Sequence, residues 1–222
     1  NMGLISILNS NPVIFILIAI ALIFALCIHE FAHGYVAYIN GDDTAYRMGR
    51  LTLNPLKHLD PFGTAMILFI GFGYAKPVPV NPSNLNNPRM DIIKVAAAGP
   101  ISNFILSFVS VFIYTLLSKL GILQENYTIF LQYFIIINTY LGLFNLLPIY
   151  PLDGGQIFGN FISKYNRDFF YKLNEYGPKI LLGIILFSVI TNISIIGWLI
   201  QTPANLIIAI FQFFANTFLF FI

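Results

Sequence analysis

The chain has 222 residues, of which 58% are hydrophobic and 9% are charged, and its formal net charge is +2. Soluble domains carry about 25% charged residues, so a soluble globular enzyme and a disordered chain are excluded, and the small net charge does not indicate binding to nucleic acid. The composition predicts an all-α polytopic membrane protein that forms a single transmembrane domain over residues 1–222 in a lipid bilayer.

Five apolar runs are long enough for a membrane-spanning helix, which needs about 20 residues. They cover residues 12–39, 92–117, 128–147, 179–200 and 203–222. A sixth run, residues 62–72, is only 11 residues long and is interrupted by glycines. We predict that it is re-entrant or half-buried, which gives about five to six transmembrane helices in all.

The first apolar run contains the pattern H-E-x-x-H at residues 29–33. On a helix, His29 and His33 are one turn apart on the same face, where two imidazoles can bind one zinc ion. Glu30 can then take a proton from metal-bound water as the general base. The alternative is a polar cluster satisfied by its neighbours, but ionisable groups inside a membrane are costly and by default mark function.

The distribution of basic residues favours a topology in which residues 62–72 do not cross the membrane. Ten of the eleven Lys and Arg residues then share one face and only Lys119 lies on the other, whereas a crossing would divide them seven to four. The positive-inside rule makes the rich face cytoplasmic, with the N-terminus outside and the histidines near the cytoplasmic end of their helix. The ten are Arg47, Arg50, Lys57, Lys76, Arg89, Lys94, Lys164, Arg167, Lys172 and Lys179.

A catalytic zinc ion needs a third protein ligand and one open position. Asp153 is the best candidate, because it follows a proline-broken end of the run 128–147. In the favoured topology two crossings separate it from His29, so both lie at the same face. His58 is the rival ligand, although its polar loop is more typical of a loop or gating residue. The remaining candidates are Asp42, Asp43, Asp60 and Asp91.

Two segments predict a small membrane-associated β-element between the first and second full spans. Residues 50–53 alternate between apolar and polar side chains, and prolines keep residues 76–81 extended. The prolines share one edge of that segment, which leaves the N–H groups of Val78 and Val80 on the other. We expect these two residues to bind substrate by β-addition, with a rigid surface loop as an equally supported alternative.

Three motifs occur in an order that resembles the site-2 proteases, the membrane-embedded zinc metalloproteases of intramembrane proteolysis. They are H-E-x-x-H at 29–33, A-G-P-I-S-N at 98–103, and N-L-L-P at 145–148 leading to L-D-G-G at 152–155. The segment G-Y-A-K-P-V-P-V-N at 73–81 is similar to the compact bacterial and archaeal branch. No loop between spans is long enough for a PDZ-like or nucleotide-binding domain.

The resemblance implies one Zn²⁺ per chain, bound by His29, His33 and Asp153, with Glu30 as the catalytic base. The implied activity is that of an intramembrane zinc metalloendopeptidase. It would cleave peptide bonds in or near the transmembrane helix of a membrane protein substrate, as in regulated intramembrane proteolysis. The resemblance covers about 25–156, so we expect a catalytic core at 12–156 and two accessory helices at 179–222.

The resemblance also implies that Asn145 and Asn103 contact the substrate peptide or the developing oxyanion. The alternative function is a membrane proton or metal-ion transporter that uses the same ionisable cluster. A transporter does not account for a glutamate beside helix-paired ligands. Nor does it account for a cluster confined to one face instead of a path across the membrane.

Overall fold

The structure is a computed structural model that describes residues 4–70 and 73–220, and within these ranges its regular structure is entirely helical. Five helices are long and apolar enough to cross a membrane, which confirms the predicted class of multi-pass, all-α membrane protein. They are α2 (Pro12–Ile39), α5 (Pro88–Lys119), α6 (Glu125–Asn145), α8 (Arg167–Thr191) and α9 (Ile195–Phe218). The shorter helices are α1 (Ile5–Ser10), α3 (Thr44–Arg47), α4 (Pro61–Ile70) and α7 (Asp153–Ile162).

Asparagine side chains begin three of the long helices. Asn11 and Asn87 each accept a hydrogen bond from the first turn of α2 and α5, and each is followed by proline at the first helical position. Asn166 caps α8 in the same way, by accepting from the N–H of Phe169. An asparagine cap satisfies one of the free N–H groups that every helix start exposes.

The sequence predicted that the last two membrane helices are separated at residues 201–202, and this prediction is wrong. The break lies at 192–194, where Asn192 adopts a left-handed conformation at φ 58° and the Ser194 hydroxyl caps α9 by accepting from the N–H of Gly197. The helix before the break begins at Arg167, and Pro203 lies inside α9. Capping residues set this boundary, because a proline inside a membrane helix is tolerated.

Helices α2, α5 and α6 pack together through small and polar side chains. Asn103 of α5 donates to Oδ1 of Asn138 on α6 over 2.9 Å, and the hydroxyls of Ser107 and Thr139 lie 2.7 Å apart. All four side chains are fully buried. Interhelical hydrogen bonds of this kind hold membrane helices together where the hydrophobic effect does not.

The prediction of a β-element is wrong for the described residues, which contain no strand. Residues 73–81, which we call the strap, have no regular structure, and their main-chain groups bond mainly to side chains. The Arg50 guanidinium donates to the carbonyls of Lys76 and Pro77 over 2.9 and 3.2 Å. Strand pairing is absent because these side chains occupy the groups that a second strand would use.

Asp42 fastens the far end of the strap to the end of α2. Its carboxylate is fully buried and accepts hydrogen bonds from the N–H of Asn81, the side chain of Asn84, and both the hydroxyl and N–H of Thr44. Burial alone would raise the pKa of the Asp42 carboxyl, but these hydrogen bonds outweigh it and lower the pKa below its ordinary value. The carboxylate therefore stays ionised at neutral pH.

The chain segments before and after helix α4 meet. The N–H of Lys76, after this segment, donates to the carbonyl of His58, before it, over 2.7 Å. The backbones at Gly63 and Gly73 lie so close that a Cβ on either one would collide with the other segment. The chain therefore returns to its starting point around α4. That residues 62–72 are re-entrant in a membrane stays a prediction, and Gly71 and Phe72 of this run lie outside the described residues.

We predict that Lys57→Cys and Lys76→Cys react with a membrane-impermeant maleimide from the same side of sealed vesicles. Both side chains are exposed, and they flank the α4 segment. Ile122→Cys, in the exposed connection between α5 and α6, should react only from the other side. The native Cys27 is 2% exposed and serves as the unreactive background. Labelling of the two lysine positions from opposite sides would contradict the re-entrant geometry.

Candidate metal centre

Three metal-ligand atoms from two distant parts of the chain meet at one point. Nε2 of His29 lies 3.0 Å from Nε2 of His33, and Oδ2 of Asp153 lies 3.2 and 3.4 Å from these two nitrogens. Donor atoms bound at about 2.1 Å by a tetrahedral zinc ion would be about 3.4 Å apart. The described residues contain no other group of three or more His, Cys, Asp or Glu residues as close together.

The other nitrogen of each imidazole bonds to a protein oxygen. Nδ1 of His33 lies 2.7 Å from the carbonyl of Val95, and Nδ1 of His29 lies 2.6 Å from Oδ1 of Asn103. Both oxygens only accept, so each Nδ1 carries a proton, and in the neutral imidazole each Nε2 then presents a lone pair. Partners of this kind set the tautomer and the ring orientation of metal-binding histidines.

The carboxylate of Asp153 also fits a metal ion. Its Oδ2 is buried and has no hydrogen-bond partner. When both imidazoles are neutral, three acceptor atoms therefore face one another, in a site where the exposed fractions of His29 and Asp153 are 4% and 9%. Converging buried acceptors repel one another unless a cation lies between them, so the donor set fits a bound metal ion.

Two glycine positions allow the helices to approach this point. A Cβ on Gly99 of α5 would collide with the imidazoles of both His29 and His33. A Cβ on Gly154 would collide with the carbonyl oxygens of the loop that joins α6 to α7. The absence of a side chain at Gly99 therefore permits close packing of α5 against the histidine helix. Gly154 lies within helix α7, where it makes room for backbone.

Glu30 is held by the strap. Its Oε2 accepts a hydrogen bond from the N–H of Val78 over 2.8 Å. The side chain of Val78 also packs over Gly34, one turn further along α2, where a Cβ would lie 3.0 Å from Cγ1 of Val78. The main chain at Val78 therefore orients Glu30, and its N–H is not available to a second strand.

A cavity of about 740 Å³ adjoins the three ligand atoms. Glu30, Asn145, Val78 and Val80 all line it. One N–H of Asn145 donates to the carbonyl of Leu141 over 3.0 Å, and the N–H of Val80 has no partner among the described residues. Three of the four residues expected to contact substrate therefore lie beside the metal centre.

Asn103 occupies a different place from the one expected. It is fully buried, and its side-chain oxygen meets His29 while its nitrogen donates to Asn138 and to the carbonyl of Ala25. It does not line the cavity. In this structure Asn103 is placed to orient the imidazole of His29, because every hydrogen-bonding atom of its amide faces protein.

The rival ligand and the other acidic candidates bond elsewhere. His58 is buried and its Nε2 donates to the carbonyl of Thr52 over 2.7 Å, apart from the three-residue group. Asp42 holds the strap, as described above. The remaining acids pair locally: Asp43 with Arg47, Asp60 with the N–H of Gly63, and Asp91 with Lys94 and the N–H of Asn87.

Sequence reasoning missed a set of polar residues that line the same cavity: Gln156 and Asn160 of α7 and Asn174 of α8. The sequence spacing could have identified two of them, because Gln156 and Asn160 lie three and seven positions after Asp153 and so share its helix face. The buried Arg50 was also missed as an anchor of the strap, because nothing in its sequence context indicates burial.

Comparison with known protein families gives one match. The sequence model of Peptidase family M50 matches residues 17–129 and 118–190 of this chain. These ranges include the two histidines, Asn145 and Asp153, and together they cover most of the chain. No solved structure matches the chain significantly.

Three curated proteins are similar to this chain. It is 44% identical over 169 residues to the "Putative zinc metalloprotease YwhC" of Bacillus subtilis, covering 72% of this chain and 75% of that protein. It is 32% identical over 99 residues to the "Putative zinc metalloprotease Rip2" of Mycolicibacterium smegmatis, covering 42% of this chain. It is 27% identical over 159 residues to the "Zinc metalloprotease MJ0392" of Methanocaldococcus jannaschii, covering 72% of this chain. The matches cover only 38% of each of the latter two proteins.

We predict that Asn103→Ala weakens binding of a divalent metal about 10–100-fold, the usual cost of losing a partner of a metal-binding histidine. Metal content after dialysis against a graded chelator measures this. Ser110→Ala is the matched control, since Ser110 is buried on the same helix without touching the centre. An unchanged metal affinity with a raised KM would instead make Asn103 a substrate contact.

Proposed function

Because the chain belongs to peptidase family M50, and is therefore a metalloprotease, we propose that it cleaves peptide bonds in or near the transmembrane segments of membrane proteins. One zinc ion per chain is the cofactor that we propose. A single observation carries the proposal: three convergent ligand atoms and a carboxylate beside them line one cavity, and two of the ligands lie in a helix that is apolar enough to span a membrane.

The zinc ligands are Nε2 of His29, Nε2 of His33 and Oδ2 of Asp153. Three protein ligands with an open fourth position are the usual arrangement of a catalytic zinc site. When bound there, zinc supplies a Lewis acid and lowers the pKa of a coordinated water molecule. The hydrogen bonds of the two Nδ1 atoms to Asn103 and Val95 turn both rings so that each Nε2 faces the site, the orientation in which they can bind a metal.

Glu30 is the general base and then the general acid. Its Oε2 is held by the N–H of Val78 at 2.8 Å, and its Oε1 has no hydrogen-bond partner in the described part of the chain. The free oxygen takes a proton from the attacking water and later delivers it to the leaving amine. The held oxygen fixes the carboxylate in the orientation that both transfers need.

Asn145 and Val80 are the substrate contacts that the cavity supports. After its bond to Leu141, Asn145 keeps a second N–H, which we assign to the carbonyl oxygen of the scissile bond as negative charge develops there. The N–H of Val80 supplies a single main-chain hydrogen bond from the strap. Residues 12–156 form the catalytic core, while the first turns of α8 also reach the cavity.

We propose that the N-terminus lies outside the cell membrane and that the cavity opens near the cytoplasmic face. Ten of the eleven basic residues lie in segments that this topology assigns to the cytoplasmic face. The hydrogen bond between Lys76 and His58 supports this topology, because it brings the chain after α4 back beside the residues that precede α4. The substrates that fit are membrane proteins whose transmembrane helix reaches this depth.

The alternative of a proton or metal-ion transporter is not favoured. The ionisable cluster lies at one end of the helix bundle, where its acceptors are arranged for one ion. The other buried polar residues between α5 and α6 bond to one another and so form helix contacts. Membership of a peptidase family favours hydrolysis, and Glu30 beside the ligands has no evident role in transport.

We predict that Glu30→Gln retains zinc and the folded state but slows cleavage of a transmembrane reporter by about 10²–10⁴-fold, because a positioned proton carrier is lost. Asp153→Ala should instead lower zinc content, because it removes a ligand. Zinc per chain and cleavage of the reporter in proteoliposomes measure both effects. Normal cleavage by Glu30→Gln would show that the base is assigned wrongly, and ion flux without cleavage would favour transport.

We also predict that Arg50→Met lowers kcat by up to about 10²-fold at unchanged zinc content, since displacement of the strap misplaces Glu30. Arg50 is 8% exposed and donates only to strap carbonyls among its described contacts. Arg47→Met is the matched control, because Arg47 is exposed and pairs with Asp43 at the surface. Equal activity of the two variants would contradict a positioning role for the strap.

A further inference from the structure

Helix α7 carries a row of polar side chains that leads away from the metal centre. Asp153, Gln156 and Asn160 are three and seven positions apart, so they share one helix face. All three line the cavity, as do Phe170 and Asn174 across it on α8. We call Gln156, Asn160 and Asn174 the amide row.

The amide row is held in place and has unused hydrogen-bonding groups. Phe170 packs over Gly159, where a Cβ would lie 2.9 Å from its ring, and this contact fixes α8 against α7. Asn160 donates to the carbonyl of Gln156 over 2.8 Å, which leaves its oxygen free. The side chains of Gln156 and Asn174 have no hydrogen-bond partner among the described residues and are only partly exposed.

The chemistry of the row selects a neutral ligand with alternating donors and acceptors. A side-chain amide offers both, which makes it the complement of a peptide group. An anion such as phosphate would need a basic cluster, whereas this cavity contains two carboxylates, Glu30 and Asp153, and one arginine, Arg89. A metal ion would need further carboxylates or imidazoles, which the row lacks.

A membrane substrate creates such a ligand at the moment of cleavage. The scissile segment must leave its helix, and its N–H and C=O groups then lose their internal partners. Each unsatisfied group is strongly unfavourable away from water. An enzyme that lowers this cost must supply hydrogen bonds beside the scissile bond, and the amide row faces that space.

We infer that the amide row binds the main chain of the unwound substrate segment on one side of the scissile bond. The inference rests on the proposed function and adds a substrate subsite to it. From Asp153 to Asn160 the helix rises about 10 Å, which is the length of about three residues of extended peptide. The contacts between the amide row and the substrate therefore fall within about three residues of the cut. They involve the main chain of the substrate and not its side chains.

Amide-to-ester scanning of a synthetic transmembrane reporter tests this subsite. Each ester removes one main-chain N–H, and the scan covers four positions on either side of the mapped cut. The enzymes are the wild type and the amide-row variants Gln156→Met, Gln156→Ala, Asn160→Leu and Asn174→Leu. The control is Gln201→Met, which removes an exposed amide on α9. Zinc content and melting temperature are measured for each protein.

Each variant should lower kcat/KM on the all-amide reporter by about threefold to tenfold, the value of one hydrogen bond, at unchanged zinc content. Esters within three residues of the cut, on one side only, should slow the wild type but have little further effect on the matching variant. That non-additivity identifies the pair of groups that bond. Gln201→Met should show the wild-type pattern.

Additive ester effects in every variant, or full activity of every variant, would overturn the amide row as a subsite. Gln156→Ala keeps the test valid if the longer methionine side chain disturbs packing. Failure of the proposed function would give a different result. The wild type would cleave no reporter, or Glu30→Gln would cleave it as well as the wild type does. Either result would also rule out the subsite.

Discussion

The candidate metal centre depends on the convergence of three electron-pair donors, which, when both imidazoles are neutral, repel one another unless a cation lies between them. The nitrogens of His29 and His33 and the Asp153 oxygen lie within 3.4 Å of one another, with no hydrogen to share among them. Burial makes their mutual repulsion larger than it would be in water. A helix arrangement that forces such groups together gains stability only when a cation is bound, so metal binding and helix packing are coupled.

That coupling passes through the contacts behind the ligands. His29 bonds to Asn103, which bonds to Asn138, so one imidazole is linked through α5 to α6. The second imidazole bonds to the backbone of α5 at Val95. A shift of α5 would therefore turn both rings at once. Asn103 therefore belongs both to the hydrogen bonds that join α5 to α6 and to the contacts behind the proposed metal ligands.

Much of this arrangement was predictable because it rests on local periodicity and on motif order. The first long helix and its paired histidines follow from an apolar run and a four-residue spacing. Asp153 follows from chain topology, since only an even number of crossings brings it to the histidines. The strap was predicted incorrectly, because side chains of Arg50, Glu30 and Asp42 occupy its main-chain groups, and no local pattern reveals which distant side chain will do so. The break at Asn192 was missed because prolines are weaker boundaries in membrane helices than caps are.

The cavity has two walls of different chemistry, and the hydrolysis that we propose inside a membrane uses both. The strap wall is a proline-restrained main chain that holds Glu30, so the proton carrier keeps one geometry with little loss of entropy when substrate binds. The wall formed by α7 and α8 carries amides that can replace the hydrogen bonds a helix loses as it unwinds. A rigid wall alone would bind only segments that are already extended. An amide wall alone would bind an unwound segment without a base in reach of its carbonyl carbon. The proposed function therefore uses the two walls together, because one would satisfy the substrate backbone while the other keeps Glu30 in place for the same bond.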